Sequence, residues 1–279
     1  MFDFHADRRK YFDMQVSSTE KYVIPFIEGI FPIEAGTRVL EIGCGEGGVL
    51  KPFVDRGCRC IGIDLDPARI EHATAWLSAY LRENRIRFVT KDIYLAAAEI
   101  GEALDEISGT TCAASHEARW PSPLFDIIIL KDTIEHIPDP SRLLALLKTF
   151  LQPDGVIFFG FPPWQMPFGG HQQLCSNKWL SLLPYYHLLP LGLYKAILRL
   201  FKEPVKDLLE IRETGLSIED FERITRKNDY TIVSKLHYLV NPIYEWKFGW
   251  KPRRQWPVIR DIPFLRNFVT SCVYYLITY

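Results

Sequence analysis

The sequence lacks a strong net charge, and this absence excludes a large class of partners. Among its 279 residues, 33 Lys and Arg are balanced by 34 Asp and Glu, which leaves a formal net charge of −1 at pH 7. A nucleic-acid-binding domain normally carries a clustered excess of basic residues that attracts the phosphate backbone. We therefore expect no nucleic-acid partner.

Cysteine is scarce and dispersed, which argues against a metal centre or a disulfide framework. The chain has six cysteines and no C-x-x-C pair. Cys58 and Cys60 lie two residues apart on a predicted strand, so they point to one face and are interpreted as packing residues. The N-terminal stretch MFDFHADRRKYF also lacks the apolar run of a signal peptide. These features predict a reducing, cytoplasmic location and no metal. The other cysteines are Cys44, Cys112, Cys175 and Cys272.

The sequence has no uninterrupted apolar run of membrane-spanning length, although residues 179–201 come close. Pro184 and Pro190 would break a spanning helix, and the charges of Lys195 and Arg199 are costly in lipid. We therefore predict that this segment is a buried lid, or a surface that meets a membrane or an apolar substrate.

The most informative feature that is present is the stretch VLEIGCGEGG at residues 39–48. A short apolar strand carries Glu41 and then runs into four glycines. Glycine has no Cβ, so the backbone can turn tightly and approach a ligand closely, with peptide N–H groups facing it. The loop therefore predicts a nucleotide-cofactor site. Gly43, Gly45 and Gly48 also fit the dinucleotide pattern G-x-G-x-x-G, so the loop alone leaves the cofactor open.

Strand and helix patterns alternate along most of the chain, which is typical of a parallel sheet covered by helices on both faces. Apolar runs such as IIIL at 127–130 indicate strands that are buried on both sides. We predict an α/β, doubly wound, mostly parallel seven-stranded sheet. The predicted strands are 38–42, 60–64, 86–89, 125–130, 155–161, 230–240 and 268–279, and the predicted helices include 48–56, 67–84, 143–151 and 217–229.

Further residues separate the two classes of nucleotide cofactor. Asp64, at the end of the second strand, suits both classes because an acid there can hold ribose hydroxyls. Glu41 directly before the glycines, Asp92 after the third strand, and the segments FDIIILKDTIEHIPD (125–139) and LQPDGV (151–156) complete a series. The chain has no Tyr-x-x-x-Lys pair, which weakens a dehydrogenase interpretation. The series resembles the class I S-adenosylmethionine-dependent methyltransferases, in particular the type 11 group of small-molecule enzymes.

The resemblance covers residues 36–162 most strongly, and it implies S-adenosylmethionine as the cofactor, a Rossmann-like methyltransferase fold, and a role for each matching residue. The residues implied around the methionine part of the cofactor are Glu41, Gly43, Cys44, Gly45, Gly47 and Lys131. Asp64 would bind the ribose. The residues implied around the adenine are Leu65, Asp92 and Ile93.

Two long segments interrupt the alternation and divide the chain. Residues 94–124 exceed a simple helical connection, and the stretch after the fifth strand has no strand–helix repeat. We expect this second stretch to be a helical or irregular lid on the acceptor side. The predicted division is an N-terminal helical cap at 1–35, a cofactor-binding core at 36–162, the lid at 163–216, and the C-terminal part of the core sheet at 217–279.

Two residues are candidates for a general base. Alignment of the acceptor meets much of the barrier to methyl transfer, but an oxygen or nitrogen acceptor can need a base with a near-neutral pKa. His171, after two glycines in the loop that leaves the fifth strand, is the leading candidate, and Asp132 is the second. A loop role for His171 stays open. His187 is interpreted as a buried structural histidine, and Glu135 and His136 as residues that orient their loop.

The sequence therefore predicts an S-adenosylmethionine-dependent methyltransferase that acts on a small, apolar or lipid-like acceptor. The alternative is a module of the same fold that binds cofactor without turnover or acts as a scaffold. Residues 241–256 mix aromatic and cationic side chains, which suits a pocket rim, an interfacial belt or an ordinary packed loop. The acceptor atom, the oligomeric state and a peripheral membrane contact stay open.

Overall fold

The computed structural model describes residues 7–108 and 125–279. The first six residues of the predicted cap lie outside the described part. So do Cys112 and the second half of the long connection, at 109–124.

The described residues form one mixed sheet whose first five strands are parallel. The strand order is β3-β2-β1-β4-β5-β8-β6-β7, and β8 runs antiparallel to β5 and β6. The reversal of order beside β1 is typical of a doubly wound sheet. The predicted fold class is confirmed. The strands are β1 (Arg38–Ile42), β2 (Arg59–Asp64), β3 (Ile86–Thr90), β4 (Phe125–Lys131), β5 (Leu151–Phe161), β6 (Thr231–Val240), β7 (Arg253–Arg254) and β8 (Cys272–Thr278).

Apolar side chains bury the central strands on both faces. In β4, Ile128 and Leu130 pack into one cluster of buried residues, while Ile127 and Ile129 pack into a second. Side chains of a strand alternate between the two faces of its sheet. A continuous apolar run in β4 therefore requires helices on both faces, as the alternation predicts.

The helices begin where the sequence supplies caps. Asp139 accepts the N–H of Arg142, and Ser217 Oγ accepts the N–H of Asp220, so both satisfy N–H groups that the first helical turn leaves unpaired. The helices are α1 (Arg8–Ser18), α2 (Ile24–Glu28), α3 (Lys51–Asp55), α4 (Pro67–Trp76), α5 (Ser78–Arg82), α6 (Ala97–Ser108), α7 (Pro140–Leu147), α8 (Lys178–Leu182), α9 (Leu191–Leu200), α10 (Val205–Glu213), α11 (Ile218–Lys227), α12 (Tyr244–Phe248), α13 (Pro257–Arg260) and α14 (Leu265–Val269), with a π-helical turn at Thr19–Val23.

Several predicted helix bounds were wrong. The helix after the glycines begins at Lys51 rather than at residue 48, because Gly48 packs directly under α1. A Cβ on Gly48 would lie 2.8 Å from Gln15 Cβ. The helix predicted over 67–84 is two helices separated at Leu77, whose φ of −108° and ψ of 18° depart from helical geometry.

Three strand predictions also need correction. The predicted turn at 152–155 lies inside β5 and forms a bulge. Phe125 and Ile127 of β4 are two residues apart, but the β5 residues that pair with them, Leu151 and Val156, are five residues apart. The last strand begins at Cys272 rather than at residue 268, since α14 occupies the chain before it. The sheet has an eighth strand, the short β7, which pairs with β6 at its edge.

The lid has a small apolar core of its own. The buried residues that form it are Cys175, Leu180, Tyr186, Tyr194, Leu198 and Leu208. Glu203 links two parts of the lid, because its carboxylate accepts the N–H groups of Ser176 and Asn177. Several apolar residues of the lid nevertheless face solvent, including Trp179, which is 84% exposed. Over residues 7–108 and 125–279, none of the helices combines the length and apolarity that a membrane span requires.

One end of the sheet collects the loops that carry chemistry. We call it the carboxyl edge, the end at which β1 to β5 finish. Val273 of β8 pairs with Phe161, and Cys272 pairs with Tyr238 of β6, so β8 begins and β6 ends at the same edge. Open α/β sheets bind ligands outside this edge.

Candidate functional site

The glycine loop after β1 has a conformation that other residues would not adopt easily. Gly43 and Gly45 have φ angles of 74° and 51°, in the left-handed region that favours glycine. A Cβ on Gly43 would lie 2.5 Å from Thr133 Oγ1, and one on Gly45 would lie 3.2 Å from the Arg69 guanidinium carbon. Both positions therefore favour glycine, because the backbone is left-handed there and neighbouring side chains approach closely.

The same loop is fixed to the second strand. The N–H groups of Gly43 and Cys44 donate to the Ile63 carbonyl at 2.8 and 3.0 Å, and Gly47 N–H donates to the Cys44 carbonyl at 2.8 Å. Gly47 has a φ of 80°. These bonds hold the loop in a defined shape, which is what a ligand cradle requires.

Glu41 is the most unusual charge in the site. Its side chain is 1% exposed, and its Oε2 has no hydrogen-bond partner among the described residues. Burial raises the pKa of this carboxyl well above its ordinary value, although Lys131 opposes the shift. A buried carboxylate without a partner is costly. The ammonium group of a bound amino acid would give this carboxylate oxygen a hydrogen-bond donor. Glu41 therefore fits the role implied for it beside the methionine part of S-adenosylmethionine.

Asp64 lies at the end of β2 and holds the loop from the other side. Its Oδ2 accepts the N–H of Gly45 at 2.8 Å, and its Oδ1 accepts the N–H of Asp66 at 2.9 Å. Each carboxylate oxygen can accept more than one hydrogen bond. Asp64 is therefore positioned to shape the loop and also to accept hydroxyl groups of a ribose.

The residues implied for the adenine lie at the ends of neighbouring strands. Leu65 follows β2 and is 70% exposed, while Ile93 follows β3 and is 7% exposed. Asp92 caps the short 3₁₀ turn that contains Ile93 by accepting the N–H of Tyr94 at 2.9 Å. Because β2 pairs with β3, these side chains lie near each other at the carboxyl edge.

Lys131 and Asp132 form an ion pair at the end of β4. Lys131 Nζ lies 2.7 Å from Asp132 Oδ2. Burial opposes the ionisation of Asp132, but Lys131 outweighs it and lowers the pKa of that carboxyl. Asp132 also has a φ of 54°, which is uncommon for a residue other than glycine and is found often at functional sites. A carboxylate held in its ionised form by a lysine is a poor general base.

His171 lies at the same edge, where the lid meets the loop after β4. Its ring centroid is 4.8 Å from that of His136, and its backbone is left-handed with a φ of 52°. A small cavity adjoins it; the lining residues are Glu135, Pro162, Trp164, Gly169, His171, Ile211 and Gly215. Burial raises the pKa of Glu135 well above its ordinary value, and Asp132 adds to the effect. The structure thus brings His171 together with the loop that carries Asp132.

His187 has the structural role expected of it. Its side chain is 1% exposed, its Nδ1 accepts from Gln172 Nε2 at 2.9 Å, and its Nε2 donates to the Trp164 carbonyl at 2.8 Å. Burial lowers its pKa to about 4, so the ring is neutral at pH 7. Both ring nitrogens are therefore hydrogen-bonded to other residues of the lid.

The structure adds residues to the site that the sequence analysis missed. Lys247 Nζ of α12 lies 5.0 Å from the Tyr11 ring centroid of α1. Burial raises the pKa of Tyr11 to about 12, with Asp132 adding to the shift, and burial lowers the pKa of Lys247 to about 8, with Asp132 opposing. These two residues are 236 positions apart and match no motif, so only the fold could bring them to Asp132.

Comparison with known proteins gives the family. The family described as "Methyltransferase domain" matches residues 16–191, which is more than half of the chain. A ubiquinone biosynthesis O-methyltransferase from Pasteurella multocida is 30% identical over 124 residues, which are 44% of this chain and 46% of that protein. The same name is carried by a relative from Paraburkholderia phymatum that is 29% identical over 124 residues, covering 44% of each chain. The chain thus spans about half the length of the curated relatives it matches.

Solved structures share the fold over most of the chain. A putative sarcosine dimethylglycine methyltransferase from Galdieria sulphuraria has a TM-score of 0.54 and 11% identity, over 93% of this chain and 84% of that one. Geranyl diphosphate C-methyltransferase from Streptomyces coelicolor has a TM-score of 0.53 and 13% identity, over 94% and 80% of the two chains. The resemblance predicted from the sequence is confirmed, and the chain belongs to the methyltransferase-domain family of class I S-adenosylmethionine-dependent methyltransferases.

Proposed function

We propose that this protein transfers the methyl group of S-adenosylmethionine to a small, apolar or lipid-like acceptor at the carboxyl edge. The observation that supports the acceptor class is the lining of the small cavity beside His171, which has a volume of about 10 Å³ and admits about one water molecule. Apart from His171 and Glu135, its lining consists of Pro162, Trp164, Ile211 and two glycines. This cavity is far smaller than a typical small-molecule site, so it indicates the apolar character of the surface between the lid and the loop after β4 and is not itself a formed acceptor pocket.

Different residues of the carboxyl edge bind different parts of the cofactor. The unpaired oxygen of Glu41 suits the ammonium group of the methionine part, and Asp64 suits the ribose. Leu65 offers an exposed apolar surface to the adenine, beside Asp92. When bound, the cofactor supplies an electrophilic methyl group on a sulfonium. The protein's own contribution is then alignment of the acceptor and exclusion of water, which can account for a large part of a rate enhancement.

We assign His171 as the general base for an acceptor hydroxyl or amine. A neutral imidazole can take a proton near pH 7, whereas Asp132 is held as an ion pair by Lys131 and has a lowered pKa. His136, whose ring lies beside that of His171, would orient the base. The names of the relatives, which specify O-methylation in ubiquinone biosynthesis, support an oxygen atom on an apolar acceptor.

Methyl transfer to paired acceptors tests the proposed class. The purified chain would receive methyl-labelled S-adenosylmethionine and phenols that differ only in the presence of an alkyl or prenyl chain. We expect label in the organic-phase product and a higher kcat/KM for the acceptor with the apolar chain. Equal turnover of both acceptors would refute the acceptor class. Cofactor binding with no transfer to any acceptor would favour the non-catalytic module.

A variant of the proposed base tests the mechanism in the same assay. His171→Ala should lower kcat by about 10²–10⁴, the range for loss of a general base, while cofactor affinity stays near that of the unmodified protein. Gln173→Ala, in the same loop, is the matched control and should retain activity. A loss below about tenfold would fall outside that range and show that alignment alone drives the reaction.

A further inference from the structure

We propose that the outer face of the lid and the segment before β8 form a docking surface for an anionic lipid bilayer. The surface, which we call the apolar face, consists of exposed residues: Trp179 (84%), Leu182 (58%), Leu183 (48%), Phe264 (71%), Leu265 (44%) and Phe268 (38%). Single exposed apolar residues are ordinary, but a grouped set of this size on a soluble chain indicates an interaction site.

The two halves of the apolar face touch each other. Tyr185, which follows α8, donates a hydrogen bond from its hydroxyl to the Phe268 carbonyl at 2.9 Å. The two rings also pack with their centroids 6.4 Å apart. The lid residues and the residues of α14 are therefore neighbours in space, although more than 80 residues separate them in the sequence.

The backbone holds one aromatic ring out into solvent against its own preference. Phe264 has a φ of 63°, which is a true outlier for a bulky residue, and its ring is 71% exposed. Its N–H donates to Glu219 Oε1 at 3.1 Å, and the same carboxylate binds Arg266 Nε at 2.7 Å. Strain of this kind persists only where the surroundings enforce it, and it is concentrated at functional positions. The contacts of Glu219 therefore fix Phe264 at the surface, where its ring adds to the apolar face.

The charges around the apolar face select an anionic partner. Residues 155–202 contain no Asp or Glu, and their cations are Lys178, Lys195, Arg199 and Lys202. Residues 248–260 likewise carry four Lys and Arg and no acid, with two tryptophans. The nearest following acids are engaged: Glu203 is buried against backbone N–H groups, and Asp261 pairs with Arg260 at 2.7 Å. Trp together with Lys and Arg is the composition of a membrane interface, and basic residues are attracted to anionic lipid headgroups.

The position of the apolar face connects it to the site. The lid leaves β5 at the carboxyl edge, and α14 leads directly into β8 at the same edge. Docking there would present the acceptor side of the protein to the bilayer, so an apolar acceptor would enter from lipid rather than from water. This last point rests on the proposed function, while docking itself does not.

Vesicle flotation with the full chain tests the inference. We expect the unmodified protein to float with vesicles of phosphatidylcholine and phosphatidylglycerol, and less with phosphatidylcholine alone or at high salt. Trp179→Glu and Phe264→Glu should each weaken partitioning at least about tenfold, the equivalent of about 1.4 kcal/mol. Lys178→Gln combined with Arg199→Gln should weaken binding to the anionic vesicles by about fivefold per cation, or about 1 kcal/mol each.

Ile30→Glu is the matched control. Ile30 is 51% exposed but lies in the segment between α2 and β1, outside the apolar face, so its variant should float as the unmodified protein does. Failure of the unmodified protein to float with anionic vesicles would overturn the inference. An effect of Ile30→Glu equal to that of Trp179→Glu would do so as well.

Two further readouts separate the remaining outcomes. If sedimentation without lipid shows a dimer that Trp179→Glu converts to a monomer, the face binds a second copy, and the lipid inference is wrong. Each variant should retain S-adenosylhomocysteine binding and turnover of a water-soluble acceptor, which shows that it folds. Absence of turnover in the unmodified protein would refute the proposed function, and flotation would still decide the docking surface independently.

Discussion

Replacing Glu41 by Gln separates the binding role of this carboxylate from its effect on stability. Glu41 is 1% exposed, and one of its oxygens has no hydrogen-bond partner among the described residues. The substitution keeps the shape of the side chain and removes the charge. If the carboxylate pairs with the ammonium group of the cofactor, the variant loses a charge-assisted hydrogen bond worth about 1.5–3 kcal/mol. Affinity should fall by about 10- to 150-fold.

The same substitution should leave the free protein at least as stable near neutral pH. Burial raises the pKa of Glu41 well above 4.5, so the folded state binds this proton more tightly than the unfolded state does. The stability contributed by such a group falls as pH rises above about 4.5, and it does so until the pH passes the raised pKa. Gln has no proton to lose, so its stability curve should lack this decline.

Two measurements decide the matter. Calorimetric titration with S-adenosylhomocysteine should show an affinity that rises with pH for the unmodified protein, as Glu41 ionises, and a flat, weaker affinity for Glu41→Gln. Urea unfolding at several pH values gives the stability curves. The reasoning is refuted if the variant binds as tightly as the unmodified protein, or if it is clearly less stable at pH 7.

Further predictions address other parts of the site. Asp64→Ala should weaken cofactor binding at least about tenfold, because Asp64 holds the loop and is proposed to accept the ribose hydroxyls; an unchanged dissociation constant in calorimetry would contradict this assignment. Gly43→Ala should destabilise the protein and abolish measurable binding, since its Cβ would lie 2.5 Å from Thr133 Oγ1 and its φ is 74°; a normal melting temperature with normal binding would show that the loop relaxes freely. Burial lowers the pKa of His187 to about 4, so the folded protein keeps this ring neutral at pH values where the unfolded chain protonates it. As the pH falls from 6.5 to 4, the free energy of unfolding should therefore fall by about 1.4 kcal/mol per pH unit from this residue alone. His187→Gln should flatten the unfolding free energy over that window by this amount, and an unchanged slope would refute the linkage.

Local signals explain how much of the fold could be predicted from the sequence. The bounds of β1 matched because an apolar run and the glycines define it within ten residues, and α11 matched because Ser217 and Asp220 form its cap. The break at Leu77 was missed because the apolar pattern continues through it. The bulge at 152–155 was missed because Pro and Asp beside Gly are equally typical of a turn.

The site was predictable only where a motif carries it. The glycine loop, Asp64 and Asp92 lie at the ends of strands, so their sequence positions indicate their meeting place. Tyr11 and Lys247 are brought to Asp132 by helices at opposite ends of the chain, and no spacing rule relates them. The contact between His136 and His171 likewise depends on how the lid folds back over the sheet.

The measurement that bears most directly on the central claim is a pair of calorimetric titrations of the unmodified protein. The series of Glu41, the glycine loop, Asp64 and Asp92 should bind S-adenosylhomocysteine, the product form of the cofactor, and should not bind NAD. Saturable binding of S-adenosylhomocysteine with no heat from NAD is the predicted result. Binding of NAD alone would contradict the assignment of this site to methyl transfer.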